Sequence, residues 1–166
     1  MIAVRLLRAA VPADPWNNPP TWSDWRALLP HVLAATDTSR NLEPAGEDVL
    51  WLLDRAATYL QTRGEPGSAR PLFERVLTDR RRVLGEDHPD TLLSATNLAA
   101  DRGALGEYER ARQLDEDTLS RYRRVLGEDH PATLRSANNL AADLRELGEY
   151  ERARQLEEHV RSHRRS

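Results

Sequence analysis

Apolar residues in the second half of the chain recur at helical rather than strand spacing. Leu92, Ala95, Leu98 and Ala99 share one face at i, i+3 and i+4 intervals, the mark of an amphipathic helix. Gly106 interrupts the pattern, and a second stripe runs through Ala111, Leu114, Thr118, Tyr122 and Val125. The prediction is two helices joined by a tight turn. Neither can bury its apolar face alone, so neighbouring pairs must stack. Pro89 and Pro131 suit the first turn of a helix, where a missing N–H is not needed, with Asp87 or His88 and Asp129 or His130 as the caps before them.

The pattern is periodic. When each residue from 81 to 120 is set against the one 42 positions later, 30 of the 40 pairs are identical. Leu84-Gly85-Glu86-Asp87-His88-Pro89 returns as Leu126 to Pro131, and the run Leu105 to Leu114 returns as Leu147 to Leu156. A period of this length means stacked supersecondary units. A diverged third copy lies upstream, because Gly64, Glu65, Ala69, Arg70, Leu72 and Leu77 precede Gly106, Glu107, Ala111, Arg112, Leu114 and Leu119 by 42.

The first forty residues read differently. A helix over about residues 2 to 11 is followed by a loop with Pro12, Pro15, Pro19 and Pro20. A second helix starts near Trp22, with Thr21-Trp22-Ser23-Asp24 resembling a capping box. Trp22, Trp25, Leu28 and Leu29 form its apolar face, and Pro30 is expected to kink or break it near His31. The chain therefore divides into a helical pair, 1–44, that caps three units at 45–86, 87–128 and 129–166.

Composition narrows the function. The formal net charge is −3 and all 24 basic residues are Arg, so the chain has no general attraction to nucleic acid or to an anionic membrane. No Cys is present, which excludes disulfides, thiolate metal sites and a cysteine nucleophile. Arg5 and Arg8 interrupt the apolar start of the chain, and no apolar run is long enough to span a membrane; a cytoplasmic location is expected. The absence of Lys, with one Ile and one Phe, points to a GC-rich, bacterial gene.

Asn97-Leu98-Ala99, Gly106, Tyr108, Ala111, Leu114 and Leu119, repeated as Asn139-Leu140-Ala141, Gly148, Tyr150, Ala153 and Leu156, resemble tetratricopeptide repeats of the 42-residue kinesin-light-chain type. The resemblance covers about residues 45 to 166. It departs where an aromatic is usual, at Arg102 and Leu144, and Gly103 is expected to loosen its helix by about 1 kcal/mol relative to Ala. The resemblance implies an all-α fold of about eight helices, a right-handed α-solenoid of antiparallel pairs whose concave wall is lined by the first helix of each pair. It further implies a peptide-binding groove formed by Trp51, Asp54, Arg55 and Thr58, then Leu93, Thr96, Asn97 and Ala100, then Arg135, Asn138, Asn139 and Ala142. Asn97 and Asn139 stand out, since a side-chain amide both donates to and accepts from an extended backbone. The alternative is that each Asn bonds the adjacent repeat. Some relatives grip a terminal carboxylate with Asn and Lys; here Ala100 and Ala142 occupy the Asn position and Lys is absent, so that specificity does not transfer. An acidic ligand would meet Arg55, Arg135 and Arg145. Residues 22–33 also resemble the segment preceding repeats in bacterial signalling ATPases of the NB-ARC type, although no phosphate loop occurs.

Other chemistry is thin. The Asp-His-Pro triplets recur with the repeat and read as corners, and His159 with His163 has metal-ligand spacing but no third ligand. Arg80 to Arg82 and Arg121 with Arg123 and Arg124 read as helix-end charges rather than a nucleic-acid edge, and Asp115, Glu116 and Asp117 as a solvent face. The expectation is a non-enzymatic scaffold for a protein or peptide, without metal or cofactor. The alternative is a structural module that self-associates, for instance as a homodimer through the C-terminal repeat.

Overall fold

The computed structural model describes residues 2–16, 18–37 and 46–163. Among them are eight α-helices and no strand: α1 (Ile2–Ala10), α2 (Trp22–Ala35), α3 (Glu47–Thr62), α4 (Pro66–Leu84), α5 (Pro89–Ala104), α6 (Tyr108–Leu126), α7 (Pro131–Glu146) and α8 (Tyr150–His163). Two compact units divide the chain, Met1–Val83 and Leu84–Ser166.

In the first unit α1 and α2 both pack on α3. Val11, Trp25, Val32, Leu52, Ala56 and Tyr59 form the core, joined by Val4, Leu7, Trp22 and Trp51. The Trp25 ring stacks on Tyr59 with centroids 5.7 Å apart, and its indole N–H donates to the Pro12 carbonyl at 3.2 Å, so the one polar atom of a fully buried ring is satisfied. Two local expectations are corrected. A 3-10 turn at Pro19–Thr21 leads into α2, so Thr21 is already helical and makes no side-chain cap; its hydroxyl donates back to the Asn18 carbonyl at 2.8 Å instead. Of the kink or break expected at Pro30, the break is the part corrected: α2 continues through Pro30 to Ala35.

In the second unit α5, α6, α7 and α8 pack successively, and Leu119 of α6, Leu134, Ala137, Leu140, Ala141 and Leu144 of α7, and Ala153 and Val160 of α8 form one core cluster. The expected α5 stripe of Leu92, Ala95, Leu98 and Ala99 is buried throughout. On α6 the stripe is rotated: Ala111, Asp115, Thr118, Leu119 and Tyr122 are buried, whereas Val125 is exposed. Despite Gly103, α5 runs on to Ala104.

The turn within each pair is closed by glycine. Gly106 and Gly148 adopt φ of 76° and 80°, and the following N–H reaches back to Arg102 O at 2.9 Å and Leu144 O at 2.8 Å, a Schellman closure that only a residue without Cβ enters cheaply. The corner before each pair is closed by histidine. His88 and His130 are the N-caps, their Nδ1 accepting from Asp90 N at 3.2 Å and Ala132 N at 3.1 Å. The acids of the same corners dock on the following second helix: Asp87 on Arg121 at 2.9 Å, and Asp129 on His163, 42 positions after Arg121, at 3.4 Å. The recurring triplets are corners.

Candidate peptide-binding surface

The four positions expected from the first unit do not present an open wall. Asp54 and Thr58 are buried; the Thr58 hydroxyl donates to the Asp54 carbonyl at 2.8 Å and the Asp54 carboxylate pairs with Arg55 at 2.6 Å. Arg8 of α1 lies 5.1 Å over the Trp51 ring and pairs with Asp48, while Arg55 donates to the Ala13 carbonyl at 3.4 Å. The N-terminal segment thus engages the face of α3 assigned to ligand. The segment does so because Val4, Leu7 and Val11 need an apolar partner that it cannot supply itself.

The second unit keeps more of its surface. On α5, Leu93 and Asn97 are half-buried and Ala100 is exposed; on α7, Arg135 and Ala142 are exposed and Asn138 and Asn139 half-buried. Thr96 is instead buried: its hydroxyl donates to the Leu92 carbonyl at 3.0 Å, and it hydrogen-bonds Tyr122 of α6. Among the described residues no hydrogen bond engages the side chain of Asn138 or Asn139; Asn97 has a partner. The equivalent asparagines of the two repeats are therefore not in the same state. Helical spacing explains the surface: 93, 97 and 100, like 135, 138, 139 and 142, lie opposite the stripe that faces the second helices.

Beneath this surface sits a feature that the sequence reading misplaced. Asp115 of α6 does not lie on a solvent face; it is 2% exposed and meets Asp143 of α7, 9% exposed. Burial, reinforced by the like charge of Asp143, pushes the Asp115 carboxyl up to about 8. Burial raises Asp143 to about 6, while the hydrogen bond from Asp115 lowers it. At neutral pH the pair shares one proton. Asp115 lies four residues after buried Ala111 and four before buried Leu119. That spacing was the signal available in the sequence.

The Arg clusters are neutralised, as their helix-end reading implies. Buried Arg80 reaches Glu47 at 3.1 Å, Arg82 reaches Asp79 at 3.1 Å, Arg123 reaches Glu128 at 3.0 Å and Arg124 reaches Asp87 at 2.6 Å. His159 and His163 are in ring contact, 4.1 Å between centroids, and each faces a corner acid, Glu128 at 3.1 Å and Asp129 at 3.4 Å. No group of three or more metal-ligating side chains is arranged to hold an ion among the described residues. No helix among them is long and apolar enough to cross a membrane.

The tetratricopeptide repeat model matches residues 48–123 and again 91–166. No curated protein matches the chain. Two crystal structures of nearly identical TPR-like repeats, from a protein of Podosopora anserina described as a kinesin light chain, superpose with TM-scores of 0.70 and 0.69. They share 22% and 23% identity, over 98% and 97% of this chain and 84% and 85% of theirs. The crystal structure of BtubC (BKLC) from P. vanneervenii gives a TM-score of 0.69 at 18% identity, over 89% of this chain and 56% of that one. At such identities the likeness is one of fold. The family matches, the 42-residue period and the helix-pair geometry together place this chain in the tetratricopeptide repeat family.

Proposed function

We propose that the chain is a scaffold that binds an extended peptide or a protein segment through the first helices of its repeats, chiefly α5 and α7. The observation that carries the reading is the unengaged amide pair Asn138 and Asn139 one turn from the small, exposed Ala142, with Ala100 exposed at the equivalent position of α5. Alanines let a backbone approach closely, and each amide offers two donors and an acceptor to it. Within this reading the units 45–86, 87–128 and 129–166 are the repeats and 1–44 is the cap. The resemblance of residues 22–33 to the segment preceding repeats in NB-ARC-type proteins supports a role as the ligand-reading portion of a bacterial, cytoplasmic signalling system.

Self-association through the C-terminal repeat is less well supported. Where α6 presents Leu119 to α7 and α8, α8 carries Arg161 at the equivalent position, largely exposed and 3.9 Å from Glu157; a charge at that position disfavours an apolar stacking contact. The test is selection from a random peptide display library, followed by amide-shift mapping of the selected peptide on the labelled full chain. Shifts on α5 and α7, with at least tenfold weaker binding in Asn138→Ala/Asn139→Ala, are expected. Shifts confined to α6 and α8 would refute the assignment.

A further inference from the structure

Repeats two and three are nearly identical, which makes their differences informative. Positions 102, 103 and 104 together with 115, 117, 118 and 119 are seven of the ten that differ across the 40 aligned pairs. In the third repeat Arg145 of α7 holds Glu157 of α8 through both carboxylate oxygens, at 2.7 and 2.8 Å. In the second repeat the same two places are taken by Gly103 and Asp115. The second repeat has an acid at the place of Glu157 and no guanidinium at the place of Arg145.

What remains is a pair of carboxyls without a cation. Asp115 and Asp143 are both more than nine-tenths buried, and Asp115 Oδ1 and Asp143 Oδ2 are shielded from solvent with no hydrogen-bond partner. Native structures rarely leave such atoms unmatched. Gly103 leaves the approach open: a Cβ built there would meet only Asp143 Oδ1, at 3.5 Å. Ala100, Ala104 and Ala142 beside it are exposed and small. The elevation of both carboxyls, driven by burial and, at Asp115, reinforced by the like charge of Asp143, is what a missing counter-ion produces.

We infer that the slot over Gly103, between the C-terminal halves of α5 and α7, is a binding site for one organic cation, a guanidinium or ammonium group, that takes the place Arg145 occupies in the next repeat and is held by Asp143 and Asp115. Bound there, the cation makes with these carboxyls the kind of ion pair that Arg145 makes with Glu157, first meeting Asp143 Oδ1, the atom that faces Gly103, and displaces the proton the carboxyls share. A peptide lying on the asparagines of α5 and α7 delivers such a group as an Arg or Lys side chain; this extension to peptide rests on the proposed function, whereas the cation site itself does not.

The experiment titrates methylguanidinium into the isotopically labelled full chain at pH 8.5, with acetamide as the neutral control. Saturable shifts of the Gly103, Ala104 and Asp143 amides are expected with methylguanidinium alone. Asp143→Asn should weaken the response at least tenfold, and Gly103→Arg, which supplies an internal guanidinium, should abolish it. Gly103→Ala leaves the slot open and should retain binding, so a misfolded Arg variant does not remove the test. Shifts that never saturate, an equal response to acetamide, or undiminished binding by Gly103→Arg would overturn the site. Acetyl-Gly-Arg-Gly-amide is then compared with agmatine. Both binding at this site supports it; tighter binding by the peptide adds support for the groove, while equal binding leaves the cation site standing and counts against the peptide reading.

Discussion

Replacing Asp115 by Asn should make the second unit more stable, by an amount that grows with pH. In the folded chain Asp115 is raised to about 8 and Asp143 to about 6, both above the usual value of 3.8. The folded state therefore binds more protons than the unfolded one. Stability is fully present below about pH 4, where both carboxyls are protonated in either state, and is lost as pH rises through the folded values. For Asp115 each unit between pH 5 and pH 8 costs about 1.4 kcal/mol, a ceiling of about 4 kcal/mol over that window. Separation of the two side chains or entry of water lowers the penalty, so about 2–3 kcal/mol is expected. Asn is neutral throughout, and its amide can donate to the Asp143 carboxylate. Urea unfolding of wild type and Asp115→Asn, followed by circular dichroism at pH 5, 6, 7 and 8, measures the difference, and amide exchange on α6 and α7 locates it. Parallel stability curves, or a variant weaker than wild type at pH 8, would show that the pair is not a buried, counter-ion-free site.

Leu144 is fully buried in the core of the second unit, so Leu144→Ala should cost about 2–5 kcal/mol in urea unfolding. An effect below about 1 kcal/mol would mean that the α7–α8 core is not packed as described. His130 caps α7 through Nδ1, and His130→Ala should cost about 0.5–2 kcal/mol. Asn retains a capping acceptor, so His130→Asn should recover most of that loss, and equal loss in both variants would rule out the cap.

Local features were legible without coordinates. The 3.6-residue period of Leu92, Ala95, Leu98 and Ala99 locates a buried face because helical geometry alone sets which residues share it. The 42-residue repeat implies stacked pairs, and Gly106 and Gly148 mark turns that need positive φ. Composition left both His88 and Asp87 open as caps; only the backbone N–H directions, which aim at the imidazole, separate them.

The features that decide function came from contacts between distant segments. Position places Trp51 and Arg55 in a groove, but α1 lies against Trp51, and Ala13 just beyond it against Arg55, because a short amphipathic helix buries its apolar face on whichever surface is nearest, and nothing within residues 2–11 names that surface. The capping box at Thr21 failed because the preceding prolines extend the helix backwards by a 3-10 turn. Asp115 read as solvent-facing because acidic residues flank it. Its burial depends on the rotation of α6 against α7, and its altered protonation on Asp143, 28 residues away in sequence. Periodicity along one chain fixes which residues lie together on a helix; which helix they meet, and with what charge, is settled only when the helices pack.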